Sequence, residues 1–149
     1  MEEMEKVIYK KEGIKRIQVN DNGDYIEIDL MDIELPLKVK NTHDELIRQN
    51  KIYSNRCKAL EKQYKDNKNL LQVNLFKAEI DYSKKCREVL DNLLGENACL
   101  KIFGETNRYG MFDDYFEQLY PTLENLVIDL NAIKEKLASK YKIDKDVIK

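Results

Sequence analysis

Two glycines nine residues apart, Gly95 and Gly104, constrain this chain more than any other feature. Before the first, Val89, Leu90, Leu93 and Leu94 form an apolar stripe at helical spacing. Gly95 stands where helices commonly stop in a left-handed conformation. Ala98, Cys99, Ile102 and Phe103 then make one short apolar turn, closed by Gly104. A helix that ends, turns once and ends again so soon must pack its two pieces together. Val89, Leu93, Gly95, Ile102, Phe103 and Gly104 are therefore the expected structural hub. Val89, Leu93, Ile102 and Phe103, with Phe116 and Leu119, are expected among the most buried residues.

Upstream, residues 7–40 read as β-structure. Ile17 and Val19 alternate with polar residues, and so do Ile26, Ile28 and Leu30. Between them, Asp21-Asn22-Gly23-Asp24 contains Asn-Gly, the pair that suits a type I′ hairpin turn. Ile33, Leu35, Leu37 and Val39 alternate as a third strand. Pro36 lacks a donor and places that strand at an edge or a bulge. A two- or three-stranded antiparallel sheet with one apolar face needs a cover, and only helices are left to supply it.

Thr42-His43-Asp44-Glu45 fits a capping box that opens a helix. Leu46, Asn50, Tyr53, Cys57, Leu60, Tyr64, Asn67 and Leu71 then repeat in a weak coiled-coil heptad. After a four-residue step, Leu75, Ala78, Tyr82, Cys86, Val89 and Leu93 continue it. Residues 65–69 are polar but hold no Gly or Pro, which favours one long or slightly broken helix over a helical hairpin. Phe112, Tyr115, Phe116, Leu119 and Tyr120 form an aromatic helix face, and Pro121 is expected to start a new helix or kink this one. Leu123, Leu126, Val127, Leu130, Ile133 and Leu137 extend the stripe. The expected fold is α+β, a single domain over 1–149: sheet to 40, long helical segment 42–94, glycine-bounded corner 95–110, C-terminal helices 111–141, frayed tail 142–149.

Charge is balanced overall, at −2, but divided along the chain. Residues 48–68 carry seven basic and two acidic side chains, and residues 105–131 carry six acidic and one basic. These segments are expected to lie side by side and neutralise each other. Cys57, Cys86 and Cys99 are odd in number and lack C-x-x-C spacing, so free thiols are expected. The acidic start has no apolar core for a signal peptide, and no apolar run approaches the ~20 residues that span a bilayer.

Catalytic patterns are sparse. His43 is the single histidine and is expected to be exposed. Asp113 and Asp114 diverge by about 100° on a helix and suit the dipole at its start better than acid–base work. The Asp21–Asp24 turn is too short for a calcium loop, and Gly95, Gly104 and Gly110 lack the Gly-Lys-Ser/Thr of a phosphate cradle. No catalytic, cofactor or metal residue is expected. The basic helix of residues 48–68 is a weak nucleic-acid signal, because Tyr53 and Tyr64 fall on its apolar stripe. A binder's surface would lie at Phe112, Tyr115, Phe116 and Leu119, beside acidic residues, and at Tyr53 and Tyr64, beside basic ones; the alternative for either face is to be fully internal or to serve self-association.

From Cys86, the run Cys-Arg-Glu-Val-Leu-Asp-Asn-Leu-Leu-Gly-Glu-Asn-Ala-Cys-Leu-Lys-Ile-Phe-Gly leads to a helix with Tyr115-Phe116. It resembles an uncharacterised family of small proteins from bacteriophages and prophages of Gram-positive bacteria. That family has a short β start, a charged helix, a Phe/Leu-Gly-Glu-Gly corner ending in Lys-Ile-Phe-Gly, and a last helix. Here Gly95-Glu96-Asn97 replaces Gly-Glu-Gly, Leu93-Leu94 replaces the common aromatic, and the likeness covers about a quarter of the chain well. The family in turn resembles the tail assembly chaperones of long-tailed phages in size, acidity and gene position. The resemblance implies a non-enzymatic chaperone without cofactors, acting in the bacterial host cytoplasm. Its partners would be the tape-measure protein, the tube protein and a second copy of itself, with no membrane. The alternatives are a structural virion subunit of tail or head completion, and a small nucleic-acid-associated phage protein.

Overall fold

The computed structural model describes the backbone of residues 3–140 and the side chains of all of these but 127–131, 133, 134, 137 and 140. The order of elements is β1 (Ile14–Gln18), β2 (Tyr25–Asp29), α1 (Leu35–Gln63), α2 (Lys68–Leu94), α3 (Ala98–Phe103) and α4 (Met111–Lys140). The fold is α+β, as the sequence predicts.

The two strands pair antiparallel with Ile17 opposite Ile26. β2 turns Ile26 and Ile28 inward, 3% and 2% exposed, while β1 covers the cluster with half-buried Ile17. The turn between them is not type I′, which needs positive φ at both central residues. Asn22 does not have it; Gly23 does, at φ 87°. Asn20 organises the loop instead: its Oδ1 accepts from the Asn22 and Asp24 amides, and its carbonyl accepts from Gly23. Its Nδ2 donates to the Lys101 carbonyl at 2.8 Å, tying the hairpin to α3. Residues 3–13 form neither strand nor helix, so the sheet is shorter than the sequence pattern implies.

The expected third strand is the start of α1. Leu35 and Val39 are buried, whereas Ile33 and Leu37 are exposed, which is a spacing of four rather than two. Pro36 sits in the first turn, where a missing donor costs nothing. Asp32 stabilises that turn by accepting from the Glu34 amide and from Lys38 Nζ. The capping box at Thr42 is therefore absent. Thr42 lies in the second turn, buried, and its hydroxyl donates to the Lys38 carbonyl. Glu45 accepts from Arg48 and Gln49 on its own helix, which hold its carboxyl down at about 2.

The long helical segment is a hairpin, not one helix. α1 ends at Gln63 with Tyr64 as its C-cap, and Asn67 opens α2 by accepting from the Leu70 amide. An Asn N-cap breaks the helix as well as glycine does, because its side chain supplies the partner the first turn lacks. Across the hairpin Tyr53 stacks on Tyr82 at 4.9 Å and donates to Glu79, and Arg56 pairs with Asp81.

On α2 the buried face is Ala78, Cys86, Leu90 and Leu94, with Val89 and Leu93 half-buried. The expected stripe is one residue out at its end. Tyr82 stacks on Tyr53 of α1; beyond it Cys86 and Leu90 cluster with Cys99 and Phe112 against Leu46, and Leu94 clusters with β2 and Ala98, so the buried face follows these neighbours. Of the six residues expected to be most buried, only Leu119 is fully so; Ile102, Phe103 and Phe116 are half-buried against the core. Two clusters make that core. One joins β2, the start of α1, Leu94, Ala98 and Leu119, Leu123 and Leu126 of α4; the other is Cys86, Leu90, Cys99 and Phe112. The expected stripe residues Val127, Leu130, Ile133 and Leu137, and the frayed tail, lie outside the described residues and side chains. α4 is one helix through Pro121.

Candidate functional site

The corner is held by two polar residues that the apolar pattern does not reveal. Asp91 Oδ1 accepts from the Cys99 amide at 2.8 Å, capping α3 from the preceding helix. Arg87, one turn earlier on α2, donates to the Asn107 side chain and the Gly104 carbonyl. Gly95 has φ 112° and ψ 162°, a region that a side chain excludes. Asn97, at φ 62°, supplies the left-handed residue expected at Gly95. Burial raises the Cys86 thiol to about 11 and moves Cys99 further in the same direction, and neither thiol is oxidised. The Asp91 and Arg87 bonds tie the corner to the end of α2 and the loop before α4.

The aromatic face of α4 divides in two. Phe112 and Leu119 are buried, 6% and 4% exposed, and Phe103 meets the rings of Phe112 and Tyr115 edge-on at 5.2 Å. Leu119 is thus core, and Phe112, though buried, still lines a cleft. Phe116 and Tyr120 turn the other way and stack on His43, with ring centroids 5.7 Å and 4.5 Å away. His43 is half-buried, not exposed, because α1 starts earlier than expected and turns it toward α4.

These rings form one wall of a cleft of about 530 Å³ between α1, α2 and α4. Leu46, Ile47 and Asn50 come from α1, Tyr82 from α2, and Phe112, Phe116 and Tyr120 from α4. Asp113 and Glu117, one turn apart on α4, add two carboxylates to the lining. Burial raises the Tyr82 hydroxyl well above the ordinary phenol range, with Cys86 and Asp113 adding to the effect, so it is a neutral donor at any physiological pH. Asp113 and Asp114 both lie in the first turn of α4, as expected for its dipole. Among the described residues no group of three or more His, Cys, Asp or Glu side chains is placed to hold a metal ion.

The second surface is on α2. Leu70, Val73, Phe76 and Ile80 are 47%, 49%, 63% and 49% exposed. Their spacing of three, three and four puts them on one side of the helix, roughly opposite Leu71, Leu75, Ala78 and Tyr82, which face α1. Sequence inspection follows the inward stripe, where Tyr53 and Tyr64 also lie half-buried, and overlooks the outward one. An i, i+3, i+6, i+10 count from Leu70 finds it.

The charged segments do not neutralise each other. Arg48 pairs with Glu45 and Arg56 with Asp81, and among the described residues no ion pair joins the basic part of the hairpin to α4. No helix of the described residues is long and apolar enough to cross a membrane. No protein-family model, curated protein or solved structure matches the chain.

Proposed function

We propose that this protein is a non-enzymatic assembly chaperone that covers apolar helical stripes of a longer partner, the tape-measure protein of a phage tail. The outward stripe Leu70, Val73, Phe76 and Ile80 carries the reading. An amphipathic helix docks on such a row through its own apolar face. The phage setting is drawn from the likeness at the corner.

The size of the stripe favours a transient holder. Covering a half-exposed aliphatic or aromatic side chain is worth about 1 kcal/mol on the area scale, so the four together give about 4 kcal/mol. Lost translational and rotational freedom offsets part of that, so a single contact is no tighter than about millimolar. Such a contact releases readily when tube subunits polymerise round the partner. Useful hold on a long partner then comes from many copies bound along it.

Co-expression with the tape-measure protein of the same gene cluster tests this. The partner should move from the insoluble to the soluble fraction and co-purify with the wild-type chain, and Phe76→Asp should abolish both effects. Equal solubility of the partner with and without the chain overturns the proposal. Purified phage particles should lack the protein; its abundance there would make it a structural subunit.

A further inference from the structure

The hairpin beyond the Tyr53–Tyr82 stack leaves the body of the molecule: no residue from 54 to 77 belongs to either core cluster. This arm holds six basic residues, Arg56, Lys58, Lys62, Lys65, Lys68 and Lys77, against Glu61 and Asp66, a balance of +4. Residues 105–126 hold five acidic residues against Arg108, a balance of −4. Among the described residues, none of the five acids is in an ion pair. Arg56 is paired with Asp81 outside the arm, which leaves +3 there against −4 on residues 105–126, so opposite charge stands largely uncompensated on two separate parts of one chain.

We propose that copies of this chain associate head to tail, with the lysine-rich arm tip of one copy entering the aromatic, acid-lined cleft of the next. The tip is the Tyr64–Asn67 turn with Lys62, Lys65 and Lys68 around it. A lysine entering the cleft lays its apolar stem along Leu46 and Ile47. Its ammonium then meets the rings of Phe116 and Tyr120, and the carboxylates of Asp113 and Glu117. The tip cannot serve its own cleft. Lys62 lies twelve residues beyond Asn50 on the same helix, about 18 Å at 1.5 Å per residue, farther than a lysine side chain spans. The two surfaces differ, so the contact is heterologous and leaves a free tip and a free cleft at the ends of each assembly. Linked copies would present their α2 stripes in series, as weak contacts with a long helical partner require.

Sedimentation velocity on the full-length chain alone tests this independently of any partner. At low salt the wild-type mass should rise with concentration, and at about 0.5 M salt it should fall back toward monomer, since exposed charges are then screened. Two variants remove charge at exposed positions without reversing it: Lys62→Gln/Lys65→Gln/Lys68→Gln and Asp113→Asn/Glu117→Gln. Each alone should self-associate at least tenfold more weakly, with an unchanged circular dichroism spectrum. Mixed, they should form a 1:1 dimer that grows no further, because one tip and one cleft remain. A wild-type chain that stays monomeric at low salt overturns the proposal. So do variants that associate like wild type, or a mixture that stays monomeric.

Discussion

Leu90, fully buried beside Cys86, shows how a correct stripe can still miss its centre. The run Val89-Leu90-Asp91-Asn92-Leu93-Leu94 contains two overlapping i, i+4 pairs, and periodicity alone does not choose between them. The neighbours choose: α3 and β2 meet the Leu90 and Leu94 side. Leu90→Ala should therefore cost about 2–5 kcal/mol in urea unfolding, and Val89→Ala clearly less. Equal losses would return the core to the sequence-derived face. The thiols give a second test. Cys86 is raised to about 11 from an ordinary 9.0, mainly by burial, and Cys99 is raised too. In the native state only half-buried Cys57 should react promptly with an alkylating reagent at pH 8, as read by mass spectrometry. The folded state keeps both thiols neutral, so their contribution is complete below pH 9 and is lost as pH rises from about 9 to 11 and beyond. Thermal melts should be flat from pH 7 to 8.5 and fall above pH 9; a flat profile to pH 11 would contradict this.

At the scale of elements, the glycine corner was legible because its punctuation is local. Gly95→Ala meets no atom within 4 Å, so its cost is conformational, about 1–3 kcal/mol. The break between α1 and α2 was harder to see, since it rests on one Asn cap and no glycine or proline. Asn67→Ala should lower stability by about 1 kcal/mol, measured by chemical unfolding, and leave the hairpin paired. The start of α1 is ambiguous in sequence because Leu35 and Val39 satisfy a spacing of two and a spacing of four alike. Pro36 does not separate the two, as it suits a strand edge and a first helical turn equally well. Asp32, three residues before Leu35, is the signal that resolves it, since its side chain accepts from the Glu34 amide.

Over the whole molecule, the α+β class was readable from the order of patterns, but the surfaces were not. Phe112 and Leu119 look like a binding face in sequence, yet α3 and β2 cover them. The outward stripe of α2 sits between lysines and amides and has the look of a solvated face until the inward one is assigned to α1. The charge segments were expected to cancel and instead stand apart, because the hairpin carries one of them away from the body. The central claim is that the α2 stripe takes up a partner's helix. Phe76→Asp and Ile80→Asp should leave the unfolding midpoint nearly unchanged, within about 0.5 kcal/mol, since both sites face solvent. The direct measurement is capture of the tape-measure protein on immobilised chain, wild type beside this double variant. The account predicts capture by the wild type and loss of at least ninety per cent of it in the variant, with Phe116→Ala retaining most. Equal capture by the wild type and the α2 variant would contradict it.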